Sequence, residues 1–498
     1  MTLQDSSTQL AGDWRMKRAD MKLEKHNQSW SVLGWRFVAY LRDYCQNCSL
    51  AGFAYIANHN LHFTERIFWL LCIIASTIGV YNLISQYQRD FTSRAVSIVH
   101  ESLSPFAMLK FPSITVCETR FNTDFPKNVE DYIRSLGTGL NEPYNWVVES
   151  YVSFILFPHQ YVSGTFLRCQ PFENCEECAK CPKKDFRKIA TRFGFNCSDL
   201  FISCKLSDNT FDCCNYFLPM ITPYGRCFLL NSLQNNKPES KHWLPAILDR
   251  GSQPEMKLHL TRSAIIKVLN EEDVITTALP TVEVTVREGQ QKTLQFHKEA
   301  MVNDPNMKDI PVAARDCYFP DEVTPWSMYK AYSFSACISD CLRLYQYELC
   351  NCSVYNFIPY ENERYPDCDL KGYLCLESFS LVLQDIKRLF RASSQSLHCH
   401  CLPSCTEGDL KAIYEDQTSI IANVRDTNVT IVMPVWPTDQ YRRQVLRTKL
   451  DVVVSIGGIL GLFLGASVLS AIEFVYYFTM RAGNSALMTR KKLVKTNA

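Results

Sequence analysis

Two long apolar stretches, one near each end of the chain, dominate its pattern of hydrophobic and polar residues. The first covers residues 67–88, between Arg66 and Arg89, and most of it is the run IFWLLCIIASTIGVYNLI. The second covers residues 450–480. Because a helix of about 20 apolar residues crosses a bilayer, the pattern predicts two membrane-spanning helices. Residues 89–449 then form one large domain between them, and both chain ends lie on the same side of the membrane.

Within this large domain, β-branched runs and alternating polarity predict strands. The run FPSITVC at 111–117 follows a proline, and residues 255–300 alternate repeatedly, as in VEVTV. The run NVTIVM at 428–433 predicts a further strand that leads back toward the second apolar stretch. Short β-branched runs with a period of two are typical of half-buried strands.

Two helices are predicted after these strands, within residues 334–397. In SFSACISDCLRLYQYELCNC, Cys337 and Cys341 are four positions apart and share one helix face. The segment FSLVLQDIKRLFRA has one apolar stripe, formed by Val382, Ile386, Leu389 and Phe390. Cysteines at the ends of both helices predict a hairpin stapled by disulfides, packed beside a sheet. The predicted fold class is two transmembrane helices flanking a large disulfide-rich α+β domain.

The cysteines place this domain in an oxidising compartment. Residues 89–449 hold 20 of the 23 cysteines, a density that is ordinary for disulfides outside the cell. The run Cys175-x-x-Cys178-x-x-Cys181 superficially resembles a metal or iron–sulfur motif, but extracellular thiols of this kind are expected to form disulfides instead. The sequence leaves the connectivity open. The candidate disulfide cysteines are Cys117, Cys169, Cys227, Cys317, Cys337, Cys341, Cys350, Cys352, Cys368, Cys375, Cys399, Cys401 and Cys405.

Acceptor sequons and basic residues agree on the orientation. The sequons at Asn196, Asn351 and Asn428 are typical of a chain that passes through the secretory lumen. The segment after Met480 is basic and contains no acid, as expected of a cytoplasmic flank. No cleavable signal is recognised at the amino terminus, so the first stretch is expected to act as both signal and anchor. Residues 1–66 and 481–498 are therefore predicted to be cytoplasmic, with two spans in the plasma membrane.

The second apolar stretch has an unusual composition for a simple anchor. As one helix it would be about 46 Å long, against a hydrocarbon core of about 30 Å, so it must tilt, bend or break. Its centre holds four glycines, at 457, 458, 461 and 465. These could mediate small-residue helix packing, or they could form a pore in which close backbones present carbonyls and hydroxyls to a cation.

A carboxylate near the end of this stretch favours the pore. Glu473 is costly in a membrane-spanning helix unless it faces water or a partner. If the helix is continuous, Ser455, Leu462, Ala466 and Glu473 share one face. Several copies around an axis would then form a carboxylate ring below a narrow collar, which suits a cation. The alternative is that Glu473 only reaches the cytoplasmic boundary near Arg481.

Composition excludes several other functions. A net charge of +1 provides no electrostatic field for nucleic acid. No nucleophile elbow, phosphate loop or zinc-protease motif is present, so an enzyme is not expected, and no metal or cofactor is predicted. A two-anchor receptor or accessory subunit that does not conduct remains an alternative. A second alternative, an ATP-gated channel, would need a lysine-rich nucleotide pocket, and no such cluster is found.

Several motifs together resemble the epithelial sodium channel/degenerin family. The run GLFLGAS at 461–467 resembles its selectivity motif, and further similar motifs follow in the right order across both apolar stretches and most of the domain between them. These motifs are FPSITVC (111–117), YSFSACISDC (332–341) and CHCLPSC (399–405). RDCYFPDE (315–322) and IEFVYYFTMR, which ends at Arg481, resemble the insect pickpocket branch.

The resemblance implies a trimeric, sodium-conducting, amiloride-sensitive channel that voltage does not gate, with sodium as the permeant ion and the lipid bilayer as its surroundings. It also implies β-rich palm and helical thumb regions, and homo- or heteromeric assembly with related subunits. The stimulus is expected to be an extracellular ligand or a mechanical force, or the channel leaks constitutively. Gly465, Ala466 and Ser467 correspond to the filter, Ser455 to an outer-pore gate position, and Val454 to the position where bulky residues hold degenerin channels open.

The chain departs from the family pattern before the first span. Family members generally carry a His-Gly pair there that supports gating, whereas this chain has Ala51-Gly52. Loss of the histidine argues against a normal open probability in a homotrimer and favours an accessory role in a heteromer.

Overall fold

The computed structural model describes two compact units of this chain. Val96–Val445 form the central unit, and the described residues before and after that range form the flanking unit. The described residues are 38–93, 96–104, 109–120, 125–136, 146–161, 164, 166, 181–248, 254–357, 360, 364–379, 399–419, 427–446, 449–481 and 483–484.

Thirteen α-helices are described in these residues. In chain order they are α1 (38–47), α2 (Phe53–Ala57), α3 (Phe63–Ser93), α4 (Lys127–Leu136), α5 (Trp146–Leu156), α6 (Phe186–Phe193), α7 (Cys197–Leu200), α8 (Cys213–Tyr216), α9 (Val312–Arg315), α10 (Phe334–Cys350), α11 (Leu370–Ser378), α12 (Lys449–Leu464) and α13 (Val468–Tyr476). Short 3₁₀ helices cover Pro158–Gln160, Pro305–Asp309 and Tyr355–Phe357, and a π-helical turn covers Tyr477–Arg481.

The flanking unit contains the two predicted apolar stretches. Helix α3 extends beyond both ends of the predicted 67–88 segment, and its Phe63–Arg89 part is long and apolar enough to cross a membrane. Large side chains such as Phe68 and Leu71 are 60% exposed on α3, which suits lipid or a partner helix rather than water. The second stretch passes the same test only as a bent pair, Leu450–Leu464 with Val468–Arg481, at an angle of 73°.

The central unit contains fifteen strands in the described residues. They are β1 (Val96–Ser102), β2 (Leu109–Lys110), β3 (Ser113–Glu118), β4 (Phe201–Leu206), β5 (Asn209–Phe211), β6 (Phe217–Thr222), β7 (Gly225–Leu230), β8 (Ile247–Leu248), β9 (Glu255–Leu260), β10 (Ala264–Leu269), β11 (Val282–Val286), β12 (Gln290–Asn303), β13 (Asp409–Ser419), β14 (Thr427–Val432) and β15 (Asp439–Val445). The eight-stranded sheet has the order β1-β15-β12-β14-β9-β4-β5, with β13 also paired to β12, and the five-stranded sheet has the order β11-β10-β3-β7-β6. Strands β2 and β8 pair separately.

The two larger sheets share one hydrophobic core. Strand β9 alternates, with Met256 and Leu258 buried and Lys257 exposed between them, as a strand with one covered face must. Val116 of β3 and Ile266 of β10, both in the five-stranded sheet, belong to the same buried cluster as Met256 and Leu258 of the eight-stranded sheet. The two sheets therefore pack against each other. The strands predicted at 111–117 and across 255–300 are confirmed.

The strand that leads to the second apolar stretch differs from the prediction. The run at 428–433 forms β14, which lies between β9 and β12 inside the eight-stranded sheet. A further strand, β15, follows it and directly precedes the second stretch. Its half-polar sequence, DQYRRQV, has no apolar alternation, so periodicity gives no signal for it.

A second core is built from helices. Helices α4, α5, α6 and α11 bury an aromatic cluster in which the Phe166 and Tyr373 rings stack 4.5 Å apart. The predicted helix with Cys337 and Cys341 is α10; the Ser333 hydroxyl accepts from the Ala336 amide at its start, and Asn351 ends it with φ 56°. The second predicted helix, at 379–392, lies outside the described residues apart from Phe379, whereas α11 was missed.

Disulfides connect these elements. The described pairs are Cys117–Cys227, Cys197–Cys214, Cys204–Cys213, Cys317–Cys405, Cys337–Cys401, Cys341–Cys399, Cys350–Cys375 and Cys352–Cys368. Cys181 is also disulfide-bonded, while Cys169, Cys175 and Cys178 lie outside the described residues. Cys337 and Cys341 lie on one face of α10 and bond to Cys401 and Cys399, so two adjacent disulfides attach this face to the 399–401 segment.

Candidate functional site

The second apolar stretch breaks at Gly465, Ala466 and Ser467, the three residues predicted to form the filter. Gly465 ends α12 with a left-handed φ of +64°, a conformation that glycine adopts without steric cost. The Ser467 hydroxyl accepts from the Ser470 amide at 3.2 Å and begins α13, as an N-capping serine does. The Gly-x-Ser sequence is therefore the local cause of the break.

This break corrects the helical geometry expected from sequence. A continuous helix would place Ser455, Leu462, Ala466 and Glu473 on one face, but α12 and α13 are separate and bent by 73°. That shared face does not exist. The predicted choice between tilting, bending and breaking is resolved as a break.

The break also changes the main-chain hydrogen bonding. The amides of Gly465 and Ala466 donate back to Gly461 and Leu460, at 3.0 and 3.3 Å. Within the described part of the chain, no donor is hydrogen-bonded to the carbonyls of Gly465 and Ala466. Free carbonyls inside an apolar segment are tolerated where they line a water-filled cavity or are buried in protein.

The turn between α1 and α2 packs against the break. The Ala51 amide donates to the Leu464 carbonyl at 3.0 Å. Gly52, with φ +87°, makes the sharp turn, and a Cβ atom added there would lie 3.2 Å from Ile73 of α3. The predicted gating segment and the predicted filter are therefore in direct contact within one chain.

Glu473 is held by the same turn. Its Oε2 atom accepts from the Ser49 amide at 3.1 Å and from the Ser49 hydroxyl at 2.8 Å. The Ser49 hydroxyl also lies 2.7 Å from the hydroxyl of Ser470, which is buried. The carboxylate thus has partners in its own chain, and these contacts join the turn to the first two turns of α13.

Helix α1 continues this contact along the π-helical turn. Tyr44 is buried, and its ring meets those of Phe474, Tyr477 and Phe478 at 5.2–5.8 Å. The Tyr40 hydroxyl donates to the Tyr477 carbonyl. Asp43 forms a 2.8 Å salt bridge with Arg481. We call residues 38–52 the brace, because they hold α13 and the break from one side.

The predicted outer-pore residues Val454 and Ser455 lie in the first half of α12, whereas the break and its contacts with the brace follow the other end of this helix. Val454 is 65% exposed and Ser455 is half-buried. A Cβ atom added to Gly457 or Gly458 would meet no atom of the described residues within 4 Å, so these glycines form no close packing with that part of the chain. Instead Phe463 packs α12 onto α3, where a Cβ atom on Gly79 would lie 3.0 Å from its ring.

An apolar cavity of about 900 Å³ opens beside the break. Its lining includes Tyr44 and Leu50 of the brace, Ile456 and Leu460 of α12, and Phe474 of α13. Leu462, Val468 and Leu469 are also 74–83% exposed in the isolated chain. Apolar surface of this extent indicates contact with lipid or with another subunit.

A carboxylate cluster lies in the central unit beside the start of α10. Glu272 is buried, and its Oε1 atom accepts from the hydroxyls of Ser404 and Thr406, at 3.1 and 2.7 Å. Asp273 accepts from the Ser335 hydroxyl at 2.9 Å. Burial, and then the neighbouring Glu272 carboxylate, raise the pKa of Asp273.

Glu407 completes this cluster. Burial raises the pKa of Glu407, and the charges of Asp273 and Glu272 raise it further. The guanidinium of Arg443 acts in the opposite direction. Arg443 lies on β15, so the cluster connects the start of α10 to the strand that precedes the second apolar stretch.

The three sequons differ in exposure. Asn196 and Asn351 are exposed, at the start of α7 and the end of α10. Asn428 is half-buried in β14, which has a neighbour strand on each side.

Sequence reasoning missed Ser49, the direct partner of Glu473. A lone serine before the gating segment carries no periodic or motif signal. Its role follows only from a chain reversal that brings residues far apart in sequence together.

Comparison with known proteins finds similar chains over most of this sequence. The family profile described as "Amiloride-sensitive sodium channel" matches residues 44–477, from the brace to the π-helical turn. Pickpocket protein 19 of Drosophila melanogaster is 23% identical over 459 residues, covering 83% of this chain and 86% of the relative. Sodium channel protein Nach of Drosophila ananassae is 20% identical over 471 residues, covering 88% and 86%. Acid-sensing ion channel 2 of Danio rerio is 22% identical over 404 residues, covering 74% and 69%.

Proposed function

The chain belongs to the amiloride-sensitive sodium channel family, and from that premise we propose that it is one subunit of a sodium-selective cation channel of the plasma membrane. Members of the family are ion channels and not enzymes. The proposed channel is a homo- or heterotrimer with related subunits, is blocked by amiloride-type compounds and is not gated by voltage. Sodium is its permeant ion, and no cofactor takes part.

One observation supports this function best: the non-helical Gly465–Ser467 segment between two apolar helices. Its free carbonyls and the Ser467 hydroxyl suit a partly dehydrated cation. In a simple anchor these groups would be hydrogen-bonded within one helix. The brace holds the segment in place from the proposed cytoplasmic side, which gives a fixed opening rather than a loose loop.

The apolar surface beside this segment supports oligomeric assembly. The cavity of about 900 Å³ and the exposed Leu462 and Val468 leave α12 and α13 only partly covered in one chain. A neighbouring copy of the same helices would cover this surface and place several Gly465–Ser467 segments around one axis. Three copies agree with the trimer that the family resemblance implies.

The proposed topology has two spans with both termini in the cytoplasm. The disulfides of the central unit require an oxidising compartment, whereas Cys45, Cys48 and Cys72 of the flanking unit are free thiols. This division of cysteines supports an extracellular central unit and a cytoplasmic brace.

An extracellular stimulus is proposed for gating. Relatives include a protein named Acid-sensing ion channel 2 and one named Bile acid-sensitive ion channel. The carboxylate cluster supports the same idea here, because it connects α10 to β15, the strand before the second apolar stretch. A mechanical stimulus or a constitutive leak are the other proposed modes.

Whole-cell recording tests the proposal. The chain is expressed alone and with related subunits, and external sodium is replaced by a large organic cation, with and without amiloride. An inward current that disappears in both treatments is expected. Surface-delivered protein that carries no current in any subunit mixture would overturn the proposal.

Ala51 favours a second candidate function, a non-conducting accessory or receptor subunit. It occupies the position where the family generally has histidine, and only its main-chain amide bonds to the break. A brace with fewer side-chain contacts would hold the open pore less firmly. Current only in mixtures, with altered gating when this chain is present, would support the accessory role.

A further inference from the structure

Two free thiols lie next to the serine that holds Glu473. Cys45 is in the last turn of α1, and Cys48 directly follows the helix, three residues later. The Cys48 thiol donates to the Cys45 carbonyl at 3.6 Å, so its side chain folds back over that turn. Both cysteines are half-buried and reachable from solvent.

We propose that Cys45 and Cys48 form a reversible disulfide that releases the brace from α13, making this segment a redox-sensitive modification site. The inference rests on the proposed function, since it regulates the same break. The co-reactant is a low-molecular-weight disulfide of the glutathione class.

The chemistry balances by thiol–disulfide exchange. One cysteine thiolate attacks a sulfur of oxidised glutathione, the S–S bond breaks, and the departing glutathione thiolate takes up a proton. The second cysteine thiolate then attacks the mixed disulfide and expels the second glutathione. Two protein thiols are oxidised by two electrons, and one glutathione disulfide becomes two glutathione thiols.

Geometry links this bond to Glu473. A disulfide requires the two Cβ atoms to lie about 3.5–4.5 Å apart with a defined dihedral angle about the S–S bond. The Cys48 thiol, just past the end of α1, instead donates to the Cys45 carbonyl, so closing the bond must remove that hydrogen bond and shift the Cys48 main chain. Ser49 is the next residue, and its amide is already 3.1 Å from Glu473, so a shift of about 0.5 Å away from α13 is enough to take this bond out of hydrogen-bonding range.

The environment of the thiols slows both formation and reduction of the bond. Burial raises the pKa of Cys45, and the neighbouring Cys48 thiol raises it further. Burial is also the main cause that raises the pKa of Cys48. Protonated thiols exchange slowly, and thiols of high pKa are poor leaving groups. The pair is expected to oxidise only under sustained oxidising conditions and then to persist until a reductant is added.

The test uses the full chain in membranes and two readouts that need no current. After oxidised glutathione treatment, peptide mass spectrometry should find the Cys45–Cys48 bond. Hydrogen exchange at the Ser49 amide should become at least about tenfold faster, as expected for loss of a hydrogen bond to a charged group, and exchange at the Ala51 amide, which bonds to the neutral Leu464 carbonyl, should accelerate less. Cys45→Ser and Cys48→Ser should each prevent both changes, whereas Cys72→Ser, which alters the free thiol of α3, should leave both intact.

Recording gives the functional readout. Oxidised glutathione at the cytoplasmic face of excised patches should remove most of the sodium current, with recovery in dithiothreitol, and should have no effect on Cys45→Ser. No disulfide, or a disulfide without faster exchange or current loss, overturns the inference. A chain that never conducts but shows the disulfide and the faster exchange overturns the proposed function alone.

Discussion

The Cβ atom of Ala51 lies 3.3 Å from the point where a Cβ atom on Gly465 would be. The chain therefore needs glycine at position 465 for two independent reasons. The left-handed φ of +64° disfavours any side chain, and the brace occupies the space that a side chain would enter. The contact between the brace and the proposed filter is thus tight, and it can be tested at either residue.

Gly465→Ala should reduce sodium current strongly while leaving some protein at the surface. The left-handed conformation costs an L-residue about 1–2 kcal/mol, and the new methyl group must push Ala51 away from the break. Whole-cell current normalised to surface biotinylation measures the effect. Gly458→Ala is the matched control, since its methyl group would meet no atom of the described residues within 4 Å. Equal loss in both variants would count against a specific contact.

Glu473 and Ser49 should behave as one functional pair. If the carboxylate acts through the brace, Glu473→Gln and Ser49→Ala should each lower open probability, and the double variant should lose less than the sum of the two effects. The expected coupling is about 1 kcal/mol. Single-channel recording separates open probability from conductance. Thr479→Ala, whose hydroxyl donates only to Val475 of its own helical segment, is the control.

An additive result would give Glu473 a different role. In that case Glu473→Gln should lower the single-channel conductance, whereas Ser49→Ala should leave the conductance unchanged. This result would mean that the carboxylate acts through its charge on the passing ion, as its position in an apolar segment led us to expect.

The sequence predicted the parts of this site but not their contacts. The apolar stretches, the strands at 111–117 and 255–300, and α10 follow from periodicity, and the Gly-x-Ser run at 465–467 follows from a motif. Length alone required the second stretch to tilt, bend or break, but only the left-handed Gly465 and the capping Ser467 locate the break.

The contacts between distant segments could not be predicted from the sequence, because local patterns do not indicate which distant residues pair. Ser49 and Glu473 are at opposite ends of the chain, and nothing in either local pattern indicates their pairing. The same holds for β15 and α11, whose sequences lack a clear apolar period because neighbouring elements rather than one solvent-facing pattern determine their burial.

Cys337→Ser and Cys341→Ser should each impair surface delivery only moderately, and the double variant should nearly abolish it. The two bridges, to Cys401 and Cys399, are parallel, so either one still closes the long loop. Losing a bridge typically costs about 2–5 kcal/mol, and the lower end is expected for each single variant. Surface biotinylation and thermal unfolding measure the losses. Single variants as defective as the double variant would contradict this redundancy.

Acidification should stabilise the fold of the central unit around the carboxylate cluster of Glu272, Asp273 and Glu407. The pKa of Asp273 is raised in the folded chain, so the native state binds more protons than the unfolded state at pH values between the two pKa values. The free energy of unfolding therefore decreases as the pH rises through that window and increases again as the pH is lowered. Thermal unfolding of the full chain between about pH 8 and about pH 5 should show a higher midpoint at the acid end.

Asp273→Asn is the matched variant for this measurement. It keeps an oxygen that can accept from the Ser335 hydroxyl but removes the titrating charge, so the acid-side gain should shrink. Glu407 titrates in the same direction and faces Arg443, so part of the gain should remain. A full gain in the Asp273→Asn variant would show that other groups cause it.

Val454 and Ala51 should act on the current in opposite directions. Val454 is 65% exposed on α12, so its stiff β-branched side chain is free to contact a neighbouring subunit in the proposed channel. By the family resemblance, a bulky residue there wedges the outer pore open. Val454→Gly should therefore reduce a standing sodium leak. Ala51→His, which adds a ring beside Leu464 and Gly465, should strengthen the brace and increase the leak.

Amiloride-sensitive holding current, measured in both single variants and in the double variant, tests these opposite effects. The pore-local effect is expected to dominate, so the double variant should leak less than the parent, and a Val454→Gly variant that leaks as much as the parent would rule out the wedge.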